Sequence, residues 1–441
     1  MKQKFIICII CIIGFGFYST GYCINGVLLD GQGARCGGMG SANIAATDDS
    51  TGIINNPGTL FVHDHGNMDL GFAIAYPSLN FKNALNNKNG ESVIISSPSA
   101  SFTTKPYNER FKFGIGFFPM GGLGAEYRLL NPIYGEQVYK VDMLFVKLMP
   151  AVAYKVNDDL SIGISAGIGY QDLRFKDPSY ELHSGYLKGA PVAVDIQADG
   201  MDYCYNLGAV YRVNDNLKIG VVYKSETKIE LSGVVNGSIT PVIQNMLTLS
   251  GMSPGDAAIA AIASGSAKYD IDIDFTFPQS FGIGLAYQVN DDFLMAADIE
   301  WINWSDAFDK IPFGYLKGNN PYLPPTLADA LPVNFDDQYV FRIGAEYKTT
   351  EKLTLRCGLN YGKSPVPDNT LFPLMATIVE TSGTIGIGYK YFDNIVMDLG
   401  YQRSFQNKQS IVGESLVSSG YDNSSCSVAV DTFFIGLTVV Y

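Results

Sequence analysis

The sequence predicts an all-β fold: a transmembrane antiparallel β-barrel of about 14 strands, with an N-terminal hatch (plug) segment in its lumen. Three observations predict this class. The chain begins like an exported protein. Its later segments alternate between apolar residues and polar or very small ones. Its connections alternate between short turns and long loops.

The first residues carry an export pattern. Lys2 and Lys4 precede an apolar run, Phe5–Phe17, which small and polar residues follow. This order is typical of a secretory signal peptide. The run is too short to be a comfortable membrane-spanning helix. We therefore expect residues 1–23 to be a signal peptide, with cleavage between Gly21 and Ile24.

The amino-acid composition limits the classes of protein to which the exported part can belong. Charged residues make up only 17% of the chain, against about 25% in soluble domains. The chain has 27 Tyr, 26 Phe and 47 Gly, and no later apolar run approaches the roughly 18 residues of a spanning helix. The formal charge of −13 disfavours nucleic-acid binding, which needs clustered Lys and Arg. A secreted all-β protein or a membrane barrel remains.

Alternation is clearest in residues 160–170, where one face is apolar and the other contains only Ser and Gly. This two-residue alternation is the pattern of a β-strand whose two faces lie in different environments. The predicted strands are 67–81, 92–104, 111–118, 142–155, 159–175, 201–213, 216–231, 275–289, 292–304, 337–348, 352–363, 382–392, 394–406 and 427–441.

The connections favour a membrane barrel over a soluble sandwich. Short turns such as Asn157-Asp158-Asp159 use residues that tolerate the left-handed backbone. Between them lie long connections, at about 119–141, 176–200, 232–274, 305–336, 364–381 and 407–426. Short turns on one side and long loops on the other are typical of outer-membrane barrels. We therefore expect the outer membrane of a Gram-negative bacterium.

Aromatic residues agree with this location. The last strand places Phe433, Ile435 and the terminal Tyr441 on one face. That pattern is typical of a lipid-facing final strand, which the barrel-insertion machinery binds during assembly. Trp301 and Trp304 are expected in an aromatic girdle at the membrane interface.

Residues 24–66 show no strand alternation and are rich in Gly, Ala, Asn and Asp. They are too few to form a core of their own. We therefore expect this hatch segment to lie in the lumen of the barrel formed by residues 67–441.

The chain resembles the FadL-type outer-membrane transporters, which take up long-chain fatty acids or toluene and other hydrocarbons. The hatch segment carries Gly33-Ala34-Arg35, Gly38, Asp48-Asp49 and Asn56-Pro57-Gly58. The last stands where the family has Asn-Pro-Ala, so Gly58 departs from the motif. Residues 150–170, 205–233, 277–305 and 338–367 continue the resemblance in order.

The resemblance implies a route for ligand. In that family an apolar groove between outer loops catches the ligand, which passes to a deeper site and leaves sideways at a kink in the third strand. Here the third strand runs into a Pro and Gly stretch that cannot sustain a ladder. The candidates for such a gap are Phe118, Gly121, Gly122, Leu123 and Gly124. The alternative is a strand that ends in its loop.

Two helices are predicted in the loop 232–274. The first is Pro241–Ser250; the second is capped by Ser253, starts at Pro254 and stops at Gly265. An apolar groove could form from Met246, Leu247, Leu249, Ile259 and Ile262. The helices could equally pack together as a lid.

The chemistry of the ligand stays open. Arg174, Arg342 and Arg356 are candidate partners for a carboxylate, although Arg in a lumen also pairs with Asp or Glu. A fatty acid and a neutral hydrocarbon therefore both remain as candidate ligands. The three histidines, His63, His65 and His183, offer no triad on inward strand positions.

The predicted function is passive uptake of hydrophobic molecules, and we expect no enzyme, cofactor or metal. The expected partners are a hydrophobic ligand and outer-membrane lipid, with no nucleic acid, and the chain is expected to be a monomer. The alternative function is a non-transporting barrel that acts as an adhesin or a structural surface protein.

Overall fold

The computed structural model describes residues 25–185 and 188–441; the predicted signal peptide lies outside them. The strands are β1 (Asn67–Lys82), β2 (Asn87–Asn89), β3 (Ile95–Thr103), β4 (Phe111–Asn131), β5 (Gly135–Lys155), β6 (Leu160–Glu181), β7 (Pro191–Arg212), β8 (Leu217–Lys224), β9 (Thr227–Ser238), β10 (Ser266–Phe277), β11 (Ser280–Asn290), β12 (Phe293–Ile302), β13 (Lys310–Leu316), β14 (Leu327–Pro332), β15 (Gln338–Lys348), β16 (Leu353–Gly362), β17 (Thr381–Phe392), β18 (Ile395–Ser410) and β19 (Ser425–Val440). The α-helices are α1 (Ala34–Gly38), α2 (Gly52–Asn55), α3 (Thr240–Leu249), α4 (Pro254–Ser264) and α5 (Trp304–Ala307). None of the helices in these ranges is long and apolar enough to cross a membrane.

The strands form a closed antiparallel wall. The first and last strands pair from Asn67 with Val440 to Lys82 with Ser425. Strands β8 and β9 are two halves of one wall strand, as are β10 and β11, while β2 and the β13–β14 hairpin lie in the loops. The wall therefore has 14 strands, as the sequence predicted.

The wall is taller on the loop side than predicted. Strand β4 continues to Asn131 and β5 begins at Gly135, so the predicted long connection 119–141 is wrong. The predicted loop 176–200 also shrinks, because β6 and β7 extend into it. Above the apolar belt the outward residues become charged, as at Asp172 and Arg174, so the apolar alternation ends before the strand does.

The two helices predicted in the long loop are confirmed. Helix α3 spans Thr240–Leu249 and α4 spans Pro254–Ser264. The Ser253 side chain accepts a hydrogen bond from the backbone N–H of Asp256, 3.2 Å away, as expected for an N-cap.

The girdle position predicted for Trp304 is wrong. Its side chain is fully buried and packs against Phe308 and Phe335, with ring centroids 5.0 and 5.7 Å away. The indole N–H of the other tryptophan, Trp301, donates a hydrogen bond to a carboxylate oxygen of Asp337, 3.0 Å away. Spacing alone did not show that the chain leaves the wall at α5.

The hatch segment lies against the inner face of the wall. Inward glycines of the wall touch its backbone: Gly220 is against Ile44, Gly344 against Met39, and Gly163 against Pro57. A Cβ atom at any of the three would overlap a hatch backbone oxygen. The Ser and Gly face seen in the sequence therefore provides room for a chain inside the barrel.

Candidate functional site

The ladder between β3 and β4 is short. It joins only Ala100–Thr103 to Gly114–Phe117. Beyond Phe117, β4 keeps its pairing with β5, with a register shift between Pro119 and Gly121. Among the described residues, the next backbone bond across this side of β4 runs from the N–H of Glu91 to the oxygen of Glu126, 2.8 Å away. In the part of the chain that the structure describes, the β3–β4 ladder is thus interrupted beside residues 118–125, and we refer to this interruption as the gap.

Two prolines explain where the ladder stops. Continuing the register of Ala100 with Phe117 would place Pro98 opposite Pro119. Neither residue has a backbone N–H to donate, and proline is confined to edges and bulges of sheets for this reason. Pro119 and the glycines after it indicate, from the sequence alone, where the ladder stops. The contribution of Pro98 can be recognised only once the strand register is known.

The hatch segment takes the place of β3 along this edge. The backbone N–H of Leu29 donates to the oxygen of Met120 at 2.9 Å, and Gly122 donates to the oxygen of Val27 at 3.1 Å. The side-chain amide of Gln32 also donates to the oxygen of Pro119. The backbone N–H and C=O groups of β4 at residues 119–122 therefore find hydrogen-bond partners in the hatch, inside the lumen.

The gap candidates are buried beside this contact. Phe118 is fully buried and Leu123 is 4% exposed. A Cβ atom at Gly121 would overlap the backbone oxygen of Val27, so a larger residue there would displace the hatch. Gly122 and Gly124 continue the same buried stretch.

Two small cavities lie on either side of the hatch residues 29–31. The first, of about 60 Å³, reaches β1, β3 and Pro119 at the gap. The second, of about 50 Å³, is lined by Met120, Phe145, Lys147 and Phe277, among others. Both cavities share residues 29–31 and Ser41. Residues 29–31 of the hatch therefore form a partition between them.

Arg342 holds this partition in place. Its guanidinium lies 2.8 Å from a carboxylate oxygen of Asp30 in the hatch and 2.8 Å from one of Glu300 in the wall. All three side chains are nearly fully buried. Buried charges of this kind persist only when paired. Arg342, a candidate partner for a ligand carboxylate, is thus occupied by protein carboxylates.

A second buried network joins the hatch to the wall. Arg35 lies 2.9 Å from Glu346, and Arg356 lies 2.6 Å from Glu346 and 2.5 Å from Asp398. Arg356 is therefore also paired. The third candidate, Arg174, is on the outer face, 55% exposed and 3.9 Å from Asp172. Arg342 borders the second cavity, but each of the three arginines already has a protein carboxylate as its partner.

Asn56-Pro57-Gly58 forms a buried turn at the start of a short 3₁₀-helix, Pro57–Phe61. The Asn56 side chain donates to the backbone oxygens of Ile44 and Ala209, at 2.7 and 3.3 Å. It also accepts from the N–H of Gly58 at 3.0 Å. Gly58 lies directly on the backbone of Ala209. The small third residue of the motif thus brings the hatch close to β7.

The apolar residues of the outer loop point to solvent. Met246, Leu249 and Ile259 are 65%, 89% and 71% exposed. Leu247 is half-buried, and the Ile262 side chain lies outside the described residues. The buried residues of α4 are the small Ala257 and Ala261. These exposed residues form an apolar tip rather than a groove between the helices.

A closed wall of 14 strands, with a segment of the same chain bonded inside it, defines the chain as an outer-membrane transport barrel. It belongs to the family described as outer membrane protein transport protein (OMPP1/FadL/TodX), whose model matches residues 17–441. It is a protein of the Gram-negative outer membrane.

Relatives agree with this assignment. The long-chain fatty acid transport protein of Escherichia coli O157:H7 is 22% identical over 90% of this chain and 93% of its own. Outer membrane protein P1 of Haemophilus influenzae is also 22% identical, over 67% of this chain and 63% of its own. Members of the family are transporters and channels rather than enzymes.

Solved structures share the fold. The toluene transporter TodX of P. putida matches with a TM-score of 0.74 and 19% identity, over 93% of this chain and 99% of that one. A Pseudomonas aeruginosa FadL homologue matches with a TM-score of 0.73 and 16% identity, over 94% and 99%.

Proposed function

We propose that this chain is a passive channel for hydrophobic small molecules, in which residues 24–66 act as a hatch and ligand leaves sideways beside residues 118–125. The observation that carries the proposal is the short ladder between β3 and β4, next to a cavity that adjoins the hatch. The names of relatives, a fatty acid transporter and a toluene transporter, support a hydrophobic cargo.

The physical argument concerns where an apolar molecule is most stable. Removing apolar surface from water contributes roughly 25 cal/mol per Å². Release straight down into the periplasm would return that surface to water, whereas the bilayer beside the wall keeps it buried. A continuous ladder would block the sideways route, because every backbone group in lipid must be bonded. The gap supplies the break that the route needs.

The partition must move for ligand to reach the gap. Residues 29–31 separate the two cavities, and backbone bonds at Leu29 and Gly122 hold them to the β4 kink. Each such bond contributes about 1 kcal/mol net. The shift must also separate Asp30 from Arg342, a buried pair whose loss costs about 3–5 kcal/mol, while the ladders of the wall stay intact.

Closing the gap tests the proposal. Ser97 and Pro119 line the same small cavity from its two sides. We would replace both with Cys, change the native cysteines to Ser, and join the pair with a short bifunctional reagent. The control is Ala345→Cys with native Cys357, which lies directly opposite it in a continuous part of the wall.

Uptake of a radiolabelled fatty acid and of labelled toluene is then measured in cells with equal surface abundance. The proposal predicts that cross-linking at the gap stops uptake and that the control cross-link leaves it unchanged. Equal uptake by the cross-linked and open gap variants would refute sideways release and favour passage through the hatch.

A further inference from the structure

A pocket of about 790 Å³ lies on the outer face of the wall, across strands β5 to β8. Along β7 the outward residues change from the exposed Tyr203 and Met201 to the polar Asp199 and Gln197. The pocket is therefore at the loop-side border of the apolar belt, beside the outer leaflet of the membrane. Much of its lining is apolar or aromatic: Leu148, Ile168, Tyr203, Tyr205 and Tyr223.

The ladder of the wall is interrupted at this pocket. Strand β7 pairs with β8 over Asn206–Arg212 and with β9 over Ala193–Asp199. Between these two ladders, residues 200–205 of β7 face residues 225–231, which is six residues against seven. One extra residue in one of two facing strands is the mismatch of a β-bulge, which disrupts the ladder locally.

The same segment is also unpaired on its other side. The β9–β10 ladder ends where Thr227 pairs with Phe277, and the β8–β11 ladder begins where Lys224 pairs with Ser280. Pro278 lies in this break and has no backbone N–H to donate. Among the strands that the structure describes, residues 225 and 226 therefore belong to no ladder.

Ser225 separates the outer pocket from the lumen. It lines that pocket and also the second cavity beside the hatch, and it is only 6% exposed. Its backbone N–H donates to the oxygen of Tyr205 at 2.9 Å, and its hydroxyl accepts from the N–H of Tyr205 at 3.0 Å. Two hydrogen bonds to one residue of β7 thus close the wall at this point.

A residue of the inner face also reaches the outer pocket. Alternation along β7 places Asp202 on the same face as Asn206, whose side chain donates to the hatch oxygen of Ile54 at 3.2 Å. Asp202 nevertheless lines the pocket on the outside. The inner and outer faces of the wall therefore meet beside Ser225.

We propose that the wall has a second side opening at Ser225, through which small hydrophobic molecules enter the second cavity from the outer leaflet. Such molecules concentrate among the acyl chains, because burial of apolar surface favours lipid over water. An entrance in the wall takes them directly from that layer, whereas the gap between β3 and β4 serves their release. The purpose of this opening rests on the proposed channel function, but its test does not.

Entry is followed with trifluoromethyl-phenyldiazirine, a small membrane-soluble photolabel, on the purified protein in phosphatidylcholine nanodiscs. After illumination, the labelled residues are identified by mass spectrometry of peptides. We expect label on Phe277 and Pro278, which line the second cavity, in addition to the lipid-facing residues of the wall.

Filling the outer pocket should stop this entry. Ala166 lies in the lining of the pocket, on the outer face of β6, so Ala166→Trp should remove the label from the cavity residues. The control is Ala297→Trp, which adds the same side chain to the outer face of β12, where that strand is paired on both sides. It should leave the cavity label unchanged. Full labelling of the cavity in Ala166→Trp would overturn the inference.

Weakening the closure should have the opposite effect. Ser225→Ala removes the acceptor for the N–H of Tyr205 and keeps the second bond, so the open population should rise by about fivefold. Cavity labelling and hydrogen exchange in peptides that cover residues 200–206 should become faster by this factor. The control is Ser232→Ala, which removes an exposed bond to Asp272 in β9 and should change neither rate. Unchanged rates in Ser225→Ala would also overturn the inference.

The cross-link between positions 97 and 119 distinguishes this opening from the gap. Cavity labelling should persist when the gap is closed, because entry at Ser225 does not need it. Loss of the cavity label in the cross-linked protein would make the gap the route of entry and overturn the second opening. Toluene uptake that continues through the cross-linked protein would instead refute release at the gap, so the two proposals fail separately.

Discussion

The buried Asn56 side chain offers the sharpest test of how the hatch is held. Asn56→Ala removes two bonds to the backbone oxygens of Ile44 and Ala209 and one from the N–H of Gly58. Each buried group left without a partner costs about 1–3 kcal/mol. Water can reach part of the opened site, so we expect local opening of the hatch to become easier by about 2–4 kcal/mol.

That free energy corresponds to roughly a 30- to 1000-fold rise in the open population. Hydrogen exchange followed by mass spectrometry should show it as faster exchange in peptides that cover residues 40–60. The wall should exchange as before, because its ladders do not involve Asn56. Uptake should fall at equal surface abundance, since hatch residues also line the second cavity.

Two variants separate the contributions. Asn56→Asp keeps the acceptor for the N–H of Gly58 but loses both donors and turns a buried carboxylate towards two carbonyl oxygens, so it should open the hatch at least as much as the Ala variant. Asn157→Ala serves as the control, because it removes two bonds in an exposed periplasmic turn, from the N–H groups of Asp159 and Leu160. Unchanged exchange in the hatch of Asn56→Ala would refute the anchoring argument. Faster exchange with unchanged uptake would leave the motif without a transport role.

Three further predictions concern other contacts. Arg342→Met leaves two buried carboxylates each short of a partner, which costs about 3–5 kcal/mol. Limited proteolysis should therefore cut the hatch of the variant sooner than that of the wild-type protein. An unchanged cleavage rate would contradict this. Burial would raise the pKa of Asp329 in the outer loops, but hydrogen bonds from His183 and Tyr180 outweigh burial and lower it below the ordinary 3.8. The protection of the loops against exchange, measured relative to the intrinsic amide rate at each pH, should therefore be full at neutral pH and fall only as the pH drops below that value. Asp329→Asn should remove this pH dependence. A membrane-permeant maleimide should label the exposed Cys357 and none of the other three described cysteines, which are buried; labelling of a buried thiol in the folded protein would show an opening that the structure lacks.

The barrel could be predicted from sequence because its signals are local. An alternating strand such as Leu160–Tyr170 and a turn such as Asn157-Asp158-Asp159 can each be recognised within about ten residues. The helix cap at Ser253 is equally local, and it was predicted correctly. Strand ends were harder, because above the membrane the outward face of β6 becomes charged, as at Asp172 and Arg174, whereas Leu173 on the other face packs into the core. The apolar alternation seen in residues 160–170 therefore ends before the ladder does.

The sequence by itself determined the wall, its strand number and the presence of a segment before it that cannot form strands. Only the tertiary structure decided which charges are paired. Asp30 and Arg342 are more than 300 residues apart in the chain, yet their contact removes Arg342 from the ligand candidates. The tertiary structure likewise decides that the buried Lys147 ammonium lies 5.4 Å from the centre of the Phe145 ring, with no ion pair to a carboxylate among the described residues. Charge pairing depends on which side chains the closed barrel brings within a few ångströms, and no local pattern in the chain encodes that distance.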